Sequence, residues 1–341
     1  MYLKATFIEC FFNETWPSRI IIKQDRHDTV VHRVLANMKQ WEETFNVVLH
    51  WILTASAIVG NGLVIYLVIF RRRLNSTANW FVLSLAVADF FVGATFFPYQ
   101  RACKSEPCYK RHIQWLCVDV FLCASVTNLC LMTVDRYIAI VKPLKYLTVM
   151  TTRRTLLAIS AAWCIPIVTA LLPLSWTYSA TSPANKAISW KVFTFATLIV
   201  YGITPFVFLP SAIVRILLIV RRCRLERSAV IAQLDFNYAT GLRRNRQLDP
   251  EKEISSTRLI VSVVVMFLVC YVFGVSVRIA SVFGHQQPPE SVLVTSSILI
   301  LTNSAANPVA YGLMKRDFKR ELLKTLKINN SSSDLAFEEV L

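Results

Sequence analysis

Seven long apolar runs dominate the chain, at about 46–70, 79–98, 113–137, 155–174, 191–220, 257–283 and 291–313. A helix rising 1.5 Å per residue needs roughly 20 residues to cross about 30 Å of hydrocarbon, and these runs meet that length. Apolar residues make up 55% of the chain and charged residues 17%, against roughly a quarter charged in soluble domains. They arrive in blocks, not in the short periodic stretches of a soluble helix. Several blocks contain Gly or Pro, which membrane helices tolerate. The expected fold class is all-α, a seven-transmembrane helix bundle.

The formal net charge of +16 would suggest nucleic acid for a soluble protein, but its distribution points elsewhere. Segment 1–45 balances six basic residues against six acidic ones. The basic surplus lies in alternate loops: Arg71–Arg73, then Lys142, Lys145, Arg153 and Arg154, then Arg221, Arg222, Arg224 and Arg227, then Lys315, Arg316, Lys319 and Arg320. The positive-inside rule makes those loops cytoplasmic. The expected order is an extracellular segment 1–45, a membrane domain 46–313 and a cytoplasmic tail 314–341, with no nucleic-acid partner. Loop 99–112 is basic on the outer side and is the one dissent. The first dozen residues lack a basic start and a small-residue cleavage site, so the first span is expected to serve as insertion signal. Residues 315–323 (KRDFKRELL) read as a short amphipathic basic helix on inner-leaflet lipids. Asn13-Glu14-Thr15 is a glycosylation acceptor in the outer segment. Cys103 and Cys108 share an outer loop, where they can pair.

Ionisable groups inside lipid are costly and are functional by default. Asp89 sits near the middle of span two and Asp119 in the outer part of span three. Span three ends in Asp135-Arg136-Tyr137, inside DRYIAIVKPLKY. A lone arginine there would simply snorkel to the headgroups. Span one carries Gly60-Asn61-Gly62, span four Trp163 with Pro166, and span seven Asn307-Pro308-Val309-Ala310-Tyr311.

Together these motifs resemble the rhodopsin-like G-protein-coupled receptors, nearest the biogenic-amine branch, over roughly residues 46–327. The resemblance implies a heterotrimeric G protein, an extracellular small-molecule ligand, arrestin, a receptor kinase and lipids as partners, at the plasma membrane. It implies that Asp135, Arg136 and Tyr137, with Asn307, Pro308 and Tyr311, serve coupling. Glu253 would hold Arg136 in a resting-state lock. It further implies sodium as an allosteric ion favouring the resting state, held by Asp89, Ser125, Asn303, Ser304 and Asn307, with no cofactor required. A carboxylate with hydroxyl and amide oxygens suits a hard cation. No catalytic constellation stands out, so no enzyme is expected.

The chain departs from the family in three places. Span six reads Cys270-Tyr271-Val272-Phe273 where the family has Cys-Trp-x-Pro, which leaves Tyr271 as an aromatic switch without the proline kink. Ile213 stands where the family usually has a tyrosine. Loop 175–190 has no cysteine, so the family's outer disulfide is missing. At the ligand end, Val118 occupies the position of the amine-binding aspartate and Asp119 is its neighbour, about 100° around the helix. Arg278 is a second charge near the outer face. If the two pair, Asp119 is structural; if they share a cavity, both grip a zwitterionic or acidic ligand. The expected ligand contacts are Asp119, Val118, Tyr271 and Arg278. A small amine competes with a peptide or lipid ligand. A transporter with Asp89 and Asp119 on a substrate path is the rival from another class; it predicts internal repeats, and none is found.

Overall fold

The computed structural model describes residues 26–105, 111–179, 182–237, 250–283 and 289–325. All regular structure among them is helical. The order is α1 (Arg26–Phe70), α2 (Thr77–Ser105), α3 (Arg111–Val141), the short α4 (Pro143–Val149), α5 (Thr152–Thr177), α6 (Pro183–Thr197), α7 (Thr204–Asn237), α8 (Pro250–Phe283) and α9 (Glu290–Met314), then α10 (316–325). A π-helical stretch, Leu198–Ile203, joins α6 to α7 without a break. Seven spans are long and apolar enough to cross a membrane, with α6 and α7 counting as one. The chain is a multi-pass membrane protein.

Local chemistry explains several boundaries. Pro143 and Pro183 sit in the first turns of α4 and α6, where a missing N–H costs nothing. Ser182 caps α6 by accepting from the Asn185 amide at 3.4 Å. Pro205 cannot donate to a carbonyl in the preceding turn. Just before it the Thr204 amide reaches back five residues to the Ile199 carbonyl, giving the wider π turn.

Several helices run longer than the apolar blocks. α1 begins at Arg26, well before the expected start at 46, because no Pro or Gly interrupts the chain between Arg26 and Gly60. α7 continues to Asn237 and α8 begins at Pro250, so much of the basic stretch 221–256 is helical rather than irregular. Apolar pattern locates the hydrocarbon; it does not say where a helix stops in water.

α3 runs through the middle of the bundle, against α2, α5, α7 and α8, while α9 packs on α1, α2 and α8. A large inner core gathers Phe81, Leu129, Met132, Val263, Phe267 and Tyr311. A smaller outer core contains Val92, Phe96, Phe97, Val118 and Leu301. Val59, Leu157, Val207 and Val269 stay exposed; in water they would be a liability, and in a bilayer they face their solvent. Two glycines set the closest crossings. A methyl at Gly93 would lie 2.9 Å from the Ala57 Cβ, and one at Gly60 would lie 3.0 Å from the Pro308 Cβ. α1 therefore rests nearly backbone-to-side-chain on α2 and α9.

Candidate functional site

Polar side chains stand at three depths in the bundle. At mid-depth α2 supplies Asp89, fully buried. Its Oδ1 accepts from the Ser125 hydroxyl of α3 at 2.8 Å and the Ser304 hydroxyl of α9 at 3.0 Å. Its Oδ2 accepts from the Asn307 amide at 2.6 Å. The spacing within each motif does this: residues of three helices converge because each lies on its helix's inner face. Asn61 of α1 donates to the Ala57 carbonyl at 2.9 Å and the Ser304 carbonyl at 3.0 Å, tying α1 to α9. Asn303 is buried beside this group. Its Oδ1, and those of Asn61 and Asn307, have no hydrogen-bond partner among the described residues.

Four of the five expected sodium residues thus touch through Asp89, and Asn303 adds a buried amide oxygen without a partner. A carboxylate offers about four lone-pair sites, and three are taken. One carboxylate, two hydroxyls and unpaired amide oxygens form the oxygen donor set of a hard cation. Among the described residues no group of three His, Cys, Asp or Glu could hold a metal ion.

At the end of α3 expected to be cytoplasmic, Arg136 donates to the Asp135 Oδ2 from Nε at 2.8 Å and from Nη2 at 2.5 Å. Asp135 is fully buried, and its other oxygen accepts from the Tyr146 hydroxyl of α4 at 2.8 Å. Burial, with the Asp135 charge nearby, pushes the Tyr146 phenol up to about 12. Tyr137, the third residue of the motif, is half-buried. Lys315, just past α9, donates to the Asn79 carbonyl oxygen. Burial brings Lys315 down to about 8, and the Arg136 charge adds to the effect. Tyr311 is fully buried, its ring 6.1 Å from that of Phe318 in α10. An open groove of about 1080 Å³ lies between α7 and α8, bordered by Leu217, Arg221, Arg224, Arg258 and Val265. The side chains of Glu253 and Cys103, and all of Asn13 and Cys108, lie outside the described residues.

At the opposite end, the expected outer one, Arg278 of α8 donates to the Asp119 Oδ1 of α3 at 3.2 Å. The pair is largely buried, with Asp119 only 7% exposed. Arg278 and Tyr271 line a cavity of about 40 Å³, with Leu122, Tyr201, Gly274 and Ile300 among its other walls. Asp119 and Val118 are not among its lining residues; Val118 packs in the outer core.

Two polar links were not anticipated from sequence. His50 of α1 is buried, bonded to the Ser297 hydroxyl at 2.7 Å and the Asn46 carbonyl at 2.6 Å, and stacked on Phe97. The rule that singled out Asp89, an ionisable group inside an apolar run, applies equally to His50. Trp163 donates to the Ser84 hydroxyl at 2.9 Å, which donates to the Asn128 Oδ1 at 2.6 Å, linking α5, α2 and α3. Isolated Ser and Asn in spans give no sequence signal that distinguishes them from local backbone bonding.

The sequence model described as 7 transmembrane receptor (rhodopsin family) matches residues 60–311. Among curated proteins, the chain is 26% identical over 304 residues to the alpha-1A adrenergic receptor of Oryzias latipes, covering 80% of this chain and 64% of that protein. It is 28% identical over 309 residues to the alpha-1D adrenergic receptor of Homo sapiens, covering 80% and 54%. It is 26% identical over 306 residues to the human alpha-1A adrenergic receptor, covering 80% and 65%. The chain spans between about half and two thirds of the length of these relatives.

Proposed function

Because the chain belongs to the rhodopsin family of seven-transmembrane receptors, we propose that it is a plasma-membrane receptor, not an enzyme, that binds a small amine-like ligand outside and activates a heterotrimeric G protein inside. The observation that carries this reading is Arg136 held by the buried Asp135 at the expected cytoplasmic end of α3, the same helix that carries Asp119, the partner of the cavity-lining Arg278. One rigid element thus touches both faces, and a two-state bundle can couple them by population shift. The groove between α7 and α8 offers a partner an apolar floor rimmed by arginines. The adrenergic receptors that this chain resembles support an amine-like ligand.

Sodium is the proposed negative modulator. Asp89 would hold it, with Ser125, Ser304, Asn303 and Asn307 supplying neutral oxygens, and the ion would add charge stabilisation that favours the resting bundle. Asp89→Asn removes the anionic ligand, so any sodium dependence of agonist affinity should vanish in that variant; retained dependence refutes the site. Glu253 is proposed as the second acidic partner of Arg136. Glu253→Ala should raise basal signalling, and an unchanged basal rate argues against it. The basic loops support an amino terminus outside and a carboxyl terminus inside; protease protection of tags at each end tests this.

The decisive experiment is guanine-nucleotide exchange on co-expressed G proteins in membranes carrying the full chain. Exchange above that of mock membranes, lowered by Arg136→Ala at equal surface expression, is the expected result. Exchange indistinguishable from mock under a broad ligand screen overturns the reading.

A further inference from the structure

We infer that two copies of the chain pair side by side through α1, along an apolar seam that starts outside the hydrocarbon and runs down into it. The inference goes beyond the receptor reading and stands or falls separately from it.

The seam has the spacing of a heptad. Met38, Trp41, Phe45, Val48 and Ile52 follow one another at intervals of three, four, three and four. An apolar residue every 3.5 positions is the pattern by which helices wind around each other. The sequence carries the same spacing upstream to Val34 and Val31, and downstream to Ala55 and Val59. Among the described residues nothing covers this face. Met38 is 63% exposed, Trp41 76% and Phe45 66%, and Val48, Ile52 and Val59 are each more than half exposed. The face that α1 packs on α2 and α9, with Ala57, Asn61 and Val64, is buried and points elsewhere.

Lipid accounts for the lower part of the seam but not for the upper. Counting back from Phe70, roughly 20 residues fill the hydrocarbon. At 1.5 Å per residue Trp41 then stands about 14 Å and Met38 about 18 Å beyond it, past a headgroup layer of about 5–8 Å. Every residue from 36 to 45 is exposed, and the seam there is flanked by Asn37, Lys39, Gln40, Glu42, Glu43 and Thr44. Polar flanks belong in water, where a lone helical extension with one apolar stripe is marginal. The upper seam needs a cover of protein.

Continuity identifies that cover. One face crosses from water into lipid, so a single partner helix must cross the same boundary at the same height. A second α1 meets this condition by construction. Copies in one membrane share one orientation, and a parallel pair sets each seam residue against its own counterpart. The charges permit the pairing. In a parallel pair, position 37 of one copy lies beside position 42 of the other. Asn37 therefore meets Glu42, and no like charges oppose each other there.

The test is disulfide trapping of the full chain in membranes under a mild oxidant. Met38→Cys and Phe45→Cys, on the seam, should each give covalent dimers well above wild type, whose own nine cysteines set the background. Gln40→Cys and Glu43→Cys, on other faces of the same helix turns, should give no more than wild type, because a bridge needs Cα atoms within about 7 Å. A second measurement pulls down one tagged copy and reads a differently tagged one. Trp41→Lys, matched to wild type in surface expression, should lower that recovery about 10-fold or more, the worth of one buried aromatic side chain. Equal trapping on and off the seam overturns the proposal. Trapping no higher than wild type at both seam positions also overturns it and leaves the face to lipid or to another protein. Undiminished recovery with Trp41→Lys does the same.

Discussion

Asp89 and Asp119 are both buried carboxylates on inner helix faces, yet they are held in opposite ways. Asp89 is surrounded by neutral donors from two other helices: two hydroxyls and an amide. Asp119 has a full counter-charge from Arg278. Neutral donors stabilise an anion without cancelling it, so the middle of the bundle keeps a net negative charge that can attract a small cation. A salt bridge cancels the charge and leaves a dipole. The same residue type is thus held by neutral donors at one depth and by a counter-charge at another. Lys315, just past α9, is half-buried and donates to the side-chain oxygen of Asn79.

The contrast can be broken most sharply at the outer pair. Arg278→Ala leaves Asp119 buried and alone, which should cost about 3–5 kcal/mol of stability and appear as a large fall in the thermal midpoint in detergent. Asp119→Asn/Arg278→Gln should recover most of that fall. If the single variant is as stable as wild type, the pair is not buried and the comparison fails. The next effect is at mid-depth. Asp89→Asn keeps one acceptor oxygen and adds donors, so the stability change should stay within about 1–2 kcal/mol. It should nonetheless remove any increase of the thermal midpoint on replacing choline chloride with sodium chloride. A smaller loss, about 0.5–1.5 kcal/mol, is expected for Ser304→Ala, which deletes one of three neutral donors. An effect as large as that of Arg278→Ala would show that Asp89 depends on single partners after all.

A pH-dependent effect is expected at Lys315. Its folded value of about 8 sits below the ordinary 10.5. Between those values the unfolded chain binds more protons than the folded one, so stability rises with pH across that window. The cost of the buried charge is present below pH 8 and is relieved above it. The thermal midpoint of Lys315→Gln should therefore climb less than that of wild type between pH 8 and 10.5. Parallel curves would mean that Lys315 does not contribute.

The membrane architecture was legible because block length is a direct reading of hydrocarbon thickness. The Asp89 cluster was legible because its members sit within short motifs, each on a known face of its own helix. Asp119 and Arg278 were visible as charges and their pairing as one of two alternatives; which of the two holds was not, since helix rotation there depends on packing around Val118 and Phe97. His50 escaped notice because its partner, Ser297, lies 247 residues away, in no motif. The helical extensions of α1, α7 and α8 were also missed, because charged residues favour helix in water as readily as they mark its membrane edge.

One contact constrains how such a bundle can move. Pro308 lies against α1 at Gly60, where even a methyl group would be crowded. α9 has no room to lean inward there. It can only glide lengthwise or draw back, so α1 acts as a fixed rail and the proline as the shoe that runs on it.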